Sequence, residues 1–500
     1  MKSSHQGILW KILHGVLFLF ALFVTAASAY KARTLSGLVP MYVCLWMVVY
    51  AGAAALWLFF CRRAAETTIS KVTWSGIAAV FAVQLVIALQ MQVTPRVDLS
   101  HIYDQCVTMI DELHTSKISD IRYFSFYPNN IPLCILIYWV FRLGKMLGLD
   151  YRAAGGMFNV LMLLAANCSA WVILRKLTSV RTAAWVMFLI LTNPVLYAYA
   201  SYYYTDTISL GLMMSGLCLM VLGWDRKHKG VRLLLIFFGG FVMAAAVKIR
   251  VTSSFILIAV FVAMIWKRQW RGILAFFIPL CIGVAAFGML WSGIYRYHVN
   301  FDTRNTSVTA EHFLMMASTG NGTYRNEDVS FTYSFPTHEE KRENNLRVWK
   351  ERLRENGPVG NFRLAARKEA LVWAAGTRGY LQYTSRVVKE TPIFQMIAGK
   401  WSSAFQNFMQ AYNIVIFLLM GIGIAMDRGD DRWQLVLDIY FLGAIVFYVF
   451  WEAHARHSTS FIMLLTFLVI PFAQRLMGRG AKPRRQEPSP RGILSFTASR

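Results

Sequence analysis

Apolar runs of about 20 residues, the length an α-helix needs to cross a bilayer, recur along this chain of 500 residues. Only helices and closed barrels satisfy their own backbone groups in that environment. The runs are continuous rather than alternating, which selects helices over barrel strands. They fall near 8–29, 38–60, 73–93, 152–174, 183–201, 207–224, 231–248, 253–267, 272–295, 406–426, 433–451 and 458–477. The expected fold is therefore an all-α integral membrane protein. It has about twelve transmembrane helices, interfacial helices and a mainly helical external loop.

Charge then sets the expected orientation. The formal net charge is +25, from 51 Lys and Arg against 26 Asp and Glu. In a soluble chain such an excess would suggest nucleic acid. Here the basic residues crowd alternate short connections, such as Arg62, Arg63 and Lys71, then Arg175, Lys176 and Arg181, then Arg226, Lys227, Lys229 and Arg232. Lys267, Arg268 and Arg271, Arg428 and Arg432, and the tail from Arg475 to Arg485 continue the pattern. That bias reads as a cytoplasmic face meeting anionic lipid, with no nucleic-acid partner. Both termini are expected in the cytoplasm of a multi-pass cell-membrane protein. The alternation holds only if the apolar but short segment 131–147, with Arg142 and Lys145, lies at the interface or re-enters. Ala27-Ser28-Ala29 resembles a signal-peptidase site, but the preceding stretch is long enough to serve as an uncleaved anchor.

The organisation follows. Residues 1–72 supply N-terminal transmembrane helices, and 73–295 form a transmembrane module with an external loop at 94–130. Residues 296–405 form a second external region, 406–477 the C-terminal transmembrane helices, and 478–500 a disordered basic tail. In 296–405, Thr337 and Glu340 make a capping-box pattern, Gly357-Pro358 ends that helix, and Phe362 to Trp373 suggest another lying on the membrane. The seven cysteines show no metal or disulfide spacing.

The charged groups of interest fall at external mouths. Asp98 follows the third span, with Asp104 and Asp111 beyond it. Asp206 follows Tyr202-Tyr203-Tyr204-Thr205, Lys248 and Arg250 follow the seventh span, and Glu452, His454, Arg456 and His457 separate the last two. None is expected at mid-depth, where an ion pathway would need it. Acids and cations at one lipid–water boundary suit sugar transfer from a polyprenyl phosphate, whose tail stays in the bilayer. A carboxylate must take the acceptor's proton, and cations must stabilise the departing phosphate. Asp98 is the candidate base and Asp206 a second catalytic acid. Lys248, Arg250 and Arg456 are candidates for the phosphate. Asp104, Tyr204, Glu452, His454 and His457 complete the candidate substrate-binding set. Plainer readings stand beside these: Asp98 as a solvated loop acid, Asp206 as a helix cap, Lys248 and Arg250 snorkelling to lipid, and tyrosines 202–204 as an interfacial aromatic belt. His454 and His457, three apart, are a weak metal pattern.

At these residues the chain resembles the polytopic glycosyltransferases that use polyprenyl-phosphate sugars, the group of protein O-mannosyltransferases and aminoarabinose transferases. The likeness is to its bacterial mannosyltransferase-like branch. It runs through Asp98, Tyr127-Pro128-Asn129-Asn130, Tyr204-Thr205-Asp206, Lys248, Glu311-His312-Phe313-Leu314-Met315-Met316, and Trp451-Glu452-Ala453-His454-Ala455-Arg456-His457. The last is similar to a Glu-Ala-Arg-Ser-Arg-Tyr type motif. The resemblance implies an aspartate base at Asp98, a polyprenyl-phosphate-linked sugar as donor and no metal or other cofactor. The acceptor, whether glycan, lipid or protein, is not specified. Many members carry adjacent acids at the first-loop position, whereas Asp98 is followed by Leu99. The competing expectation is a transporter or flippase of lipid-linked sugars. It would require broken helices and polar groups at mid-depth, and the sequence offers neither plainly.

Overall fold

The computed structural model describes residues 4–224, 226–427 and 432–478. The expected basic tail beyond Gly478, and the loop carrying Arg428, lie outside the described residues. The chain opens with three long apolar helices, α1 (Ser4–Thr34), α2 (Pro40–Arg63) and α3 (Glu66–Gln90). A first insertion carries α4 (Asp98–Val107), α5 (Ile121–Phe126) and α6 (Ile131–Met146). The bundle continues with α7 (Tyr151–Leu177), α8 (Val180–Leu191), α9 (Pro194–Ala198), α10 (Thr205–Trp224), α11 (Lys229–Ile249), α12 (Phe255–Trp266) and α13 (Trp270–His298). A second insertion holds α14 (Ala310–Met316), α15 (Asn326–Tyr333), α16 (His338–Ala374), α17 (Leu381–Thr384) and α18 (Pro392–Ile397). The chain then returns through α19 (Ser402–Met426), α20 (Arg432–Phe450), α21 (Thr459–Leu465) and α22 (Ile470–Leu476).

Ten of these stretches are long and apolar enough to cross a membrane, and Val180–Leu191 and Val251–Trp266 are shorter apolar helices. Together they correspond to the twelve runs read from the sequence. Among the described residues the sole β feature is an isolated antiparallel bridge, Val93 to Val387. In lipid, apolar faces gain little by meeting each other, so close packing must come from small residues. Gly216 and Gly239 bring α10 and α11 so near that a Cβ on either would lie about 3 Å from the other's carbonyl oxygen. Burial follows: 72% of the apolar window of α10 is inside the bundle, against 11% for α2, so α10 is central and α2 faces lipid.

Several expectations are refined. The run 183–201 breaks where Asn193 caps α9, its side chain accepting from the Val195 N–H, with Pro194 at the first turn. The last span is interrupted by 3-10 turns at Ala455–Ser458 and Thr466–Val469. Helix α16 has the expected capping box at Thr337 and Glu340 and kinks at Gly357, whose φ is 61°. Its second half begins with Val359 and Phe362 exposed and then turns inward. It packs against α1 and α20, with Trp373 fully buried. The α6 helix, of 16 residues, rises only about 24 Å, and both its ends touch the first insertion. Asn130 just before it meets Tyr123, and Lys145 pairs with Asp111 at 2.6 Å. Ala27-Ser28-Ala29 lies inside α1, where Ser28 accepts from Gln410 and Asn413 of α19. Charge within the spans, not expected from the sequence, is present: His14 of α1 meets Asp438 of α20 at 2.8 Å.

Candidate functional site

After α3 the chain runs extended beside the segment following α17. Thr94 N–H donates to Arg386 O at 2.8 Å and Val388 N–H to Gln92 O at 3.0 Å. Val97 then takes φ 55°, a conformation costly for a β-branched residue and typical of places where structure is held for a purpose. This turn starts α4 at Asp98 and aims its carboxylate back at the bundle.

Two phenols receive it. Tyr123 Oη donates to Asp98 Oδ1 at 2.9 Å, and Tyr204 Oη to Oδ2 at 3.1 Å. Asn130 closes the ring, its Nδ2 donating to Tyr123 Oη at 2.6 Å and its Oδ1 lying 3.2 Å from Tyr204 Oη. Tyr204 has one proton for Asp98 and Asn130, so the carboxylate keeps spare acceptor capacity. Burial first, then the facing Asp98, pushes both phenols upward and keeps them protonated. His101 stacks on Tyr123 with centroids 3.9 Å apart, fixing that ring.

The tyrosine run was read as an interfacial belt, and the structure corrects this: Tyr202, Tyr203 and Tyr204 are all buried. Asn159 of α7 holds the turn, donating to the carbonyls of Tyr199 and Ala200 at 2.8 and 2.9 Å and accepting from Thr207 Oγ1. Tyr203 packs on Gly155, where a Cβ would sit 2.7 Å from its ring. Its neighbours Tyr202 and Tyr204 are thereby turned toward the Asp98 side.

Asp206 begins the same helix in a different setting. Arg250 Nη1 lies 2.9 Å from Oδ1 and Arg456 Nε 3.1 Å from Oδ2, with the acid side chain 2% exposed. Its carboxylate thus engages two guanidiniums. The Arg456 guanidinium lies 4.7 Å from the Tyr204 ring centroid and 4.6 Å from that of Tyr383. Tyr204 therefore joins the two charge systems, its hydroxyl on Asp98 and its face on Arg456.

Arg456 is placed by a buried latch. Arg378, itself with φ 52°, donates to Val372 O at 2.9 Å, Trp373 O at 3.2 Å and Ser458 Oγ at 2.6 Å. It thereby fills the last carbonyls of α16 and fixes the turn two residues after Arg456. Glu452 sits beside this turn and takes the Tyr324 N–H. Burial pushes its carboxyl up to about 7, with Arg456 opposing and Asp98 adding to the rise. Lys368, pushed down to about 8 by burial, donates to Val449 O at 2.8 Å. Gly322 packs over Lys368, and its carbonyl accepts from Ala453 N–H at 2.7 Å, so the second insertion covers Glu452.

The remaining candidates divide. His454 Nδ1 accepts from Arg456 N–H at 3.1 Å, which leaves Nε2–H to face Tyr383 Oη at 3.2 Å. Burial, then Arg456, lowers the imidazole to about 4, so it is neutral there. His457 stacks on Tyr448, centroids 5.9 Å apart. Asp104 is exposed further along α4, in an open depression with His101, Gln105 and Asp120. Lys248 is not brought into the cluster: it is exposed, with Nζ 5.9 Å from the Trp291 ring centroid. Lys248 lies in the last turn of α11, whereas Arg250 follows the helix end with extended backbone, φ −149° and ψ 112°, and turns inward to Asp206. Sequence reasoning missed Tyr123, Tyr202, Tyr383 and Lys368. Asn130, within the motif Tyr127-Pro128-Asn129-Asn130, was the one available pointer to the ring around Asp98.

Comparisons with known proteins add the following. No curated protein matches the chain. A crystal structure of ArnT from Cupriavidus metallidurans bound to undecaprenyl phosphate is similar at 15% identity and a TM-score of 0.37, covering 83% of this chain and 79% of that one. The same protein in the apo state is similar at 14% identity and a TM-score of 0.33, covering 82% and 78%. Residues 1–472 match a family described as conserved hypothetical integral membrane protein, and the chain belongs to that family.

Proposed function

We propose that this protein is a membrane glycosyltransferase that moves a sugar from a polyprenyl-phosphate donor to an acceptor on the outer face. The observation that carries the reading is the shared Tyr204, hydrogen-bonded to Asp98 at 3.1 Å and lying under the Arg456 guanidinium at 4.7 Å. A proton acceptor and a cation pair thus sit on either side of one ring.

In this reading Asp98 takes the proton of the acceptor hydroxyl as its oxygen forms a bond to the anomeric carbon. The bond from that carbon to the phosphate oxygen breaks, and polyprenyl phosphate leaves with the electron pair. A single displacement gives inversion. Arg250 and Arg456, held by Asp206, face the phosphate with one positive charge in excess, and Asp206 acts as a positioning residue. The hydrogen bonds from Tyr123 and Tyr204 orient Asp98 without neutralising it.

A second reading, a transporter or flippase of lipid-linked sugars, gains support from the interruptions at Pro194 and Thr466–Val469 and from the buried His14–Asp438 pair. Purified protein in proteoliposomes, given polyprenyl-phosphate sugars labelled in the sugar, separates the two. Transfer of label to a water-soluble or lipid acceptor is expected, and it should fall at least about 100-fold in Asp98→Asn. Movement of the intact donor between leaflets with no transfer would overturn the proposal in favour of the flippase.

A further inference from the structure

We propose that Tyr324, with Tyr127 and Glu452 beside it, forms the subsite that takes the sugar ring of the donor, an inference that rests on the glycosyltransferase reading above.

A sugar asks two things of its site. Its carbon–hydrogen face is apolar and suits an aromatic ring, while its hydroxyls need polar partners at the edge. The phenols nearest Asp98 and Arg456 fail the first condition, because Tyr123, Tyr202, Tyr204 and Tyr383 are buried. Tyr324 meets it. It is 53% exposed, and its ring stacks on no other among the described residues. Tyr333 is also exposed, but its face is taken by Phe126, with centroids 3.7 Å apart.

The polar partners converge on the same space. The Tyr324 N–H donates to Glu452, and its hydroxyl sits beside that of Tyr127. Burial raises both phenols, and the charges of Asp98 and Glu452 reach each of them. Asp98 also reaches Glu452. Glu452 in turn stands four residues before Arg456. Protonated, its carboxyl offers a ring hydroxyl both a donor and an acceptor.

The reaction geometry says which sugar belongs there. In a single displacement the acceptor oxygen and the leaving phosphate stand on opposite sides of the anomeric carbon. The ring that carries this carbon must therefore lie between Asp98 and Arg456. Tyr324 and Glu452 border that interval, so they face the donor's sugar rather than the acceptor.

The fold braces Tyr324 from both sides. Before it, Gly320 and Gly322 take φ of 59° and 70°, a region that glycine enters without strain. The Gly322 carbonyl accepts from Ala453 N–H at 2.7 Å, next to Glu452. A Cβ on Gly322 would lie 2.5 Å from Lys368 Cδ, so the close approach needs glycine. After it, Asp328 of α15 pairs with Arg352 of α16 at 2.6 Å.

The test is equilibrium binding by the full-length protein in nanodiscs. The probes are bare polyprenyl phosphate and polyprenyl phosphate carrying glucose, galactose, mannose or xylose. Wild type is expected to bind at least one glycosylated lipid more tightly than the bare lipid. Tyr324→Ala should lower that preference about five- to ten-fold and keep affinity for the bare lipid within about two-fold. Tyr324→Phe, which retains the ring, should keep most of the preference. Wild-type preference in Tyr324→Ala overturns the subsite. So does an equal loss of bare-lipid affinity, which would assign the residue to the phosphate or to the fold. Wild type that binds bare and glycosylated lipids alike overturns the subsite and leaves the lipid-phosphate reading standing. Wild type that binds neither overturns both.

Discussion

Asp98 and Asp206 each stand at the start of a helix, near the same tyrosine, yet the fold treats them in opposite ways. Asp98 is partly exposed and bound by two neutral hydroxyls at 2.9 and 3.1 Å. Asp206 is buried and clamped by two guanidiniums at 2.9 and 3.1 Å. Neutral donors orient a carboxylate and leave its charge and lone pairs for a substrate, whereas two fixed cations consume both. One acid is free to react and the other holds arginines in place. Position in the sequence does not separate these roles, but their partners do.

The contrast breaks most visibly if Asp206 is removed. Asp206→Ala leaves buried Arg456 and partly buried Arg250 without their counter-ion, and a stability loss of about 3–5 kcal/mol is expected from such a broken pair, read by thermal or denaturant unfolding in detergent. Asp98→Asn, by contrast, should shift unfolding by no more than about 1 kcal/mol. Equal losses in the two variants would remove the distinction.

Next in size is the shared tyrosine. Tyr204→Phe keeps the ring beneath Arg456 and deletes only the hydroxyl that meets Asp98. A hydrogen bond to a charged group contributes about 1.5–3 kcal/mol, so transfer should fall roughly ten-fold or more while donor binding changes little. Lost binding with preserved turnover would place the hydroxyl on the donor side instead.

A smaller, pH-dependent effect comes from Glu452. Burial raises its carboxyl from the ordinary 4.5 to about 7. The native state therefore holds a proton that the unfolded chain releases, and this contribution to stability is present in acid and lost as pH rises from 4.5 through about 7. Above that range the new negative charge also opposes phosphate beside Arg456. Glu452→Gln should flatten both dependences in donor-binding and unfolding titrations from pH 5 to 8. A retained slope in donor affinity would assign it to the phosphate itself. The smallest effect is expected at Lys248. Lying exposed on Trp291, it should tolerate Lys248→Ala with less than about 0.5 kcal/mol in stability and under two-fold in transfer.

The membrane spans were legible because a run of apolar residues long enough to cross a bilayer has few other fates. Their ends were less so, since caps such as Asn193 and breaks such as Gly357 act through hydrogen bonds and φ rather than hydropathy. Asp98 and Arg456 could be picked out as charges at span mouths. The phenols binding Asp98 could not, because the direction of tyrosines 202–204 is set by Asn159, more than 40 residues earlier. Lys248 and Arg250 looked equivalent in sequence and were divided by the end of α11, which falls between them at Ile249. His14 and Asp438 stand 424 positions apart, and their meeting is a property of how α1 and α20 pack.

The central claim is that Asp98 and the arginines act on one donor molecule from two sides. The most direct test measures equilibrium binding of polyprenyl-phosphate sugar and single-turnover transfer on the same preparations of wild type, Asp98→Asn and Arg456→Ala. The account predicts that Asp98→Asn binds donor within about three-fold of wild type yet transfers at least about 100-fold more slowly, while Arg456→Ala loses binding. Transfer by folded Asp98→Asn at the wild-type rate would contradict it.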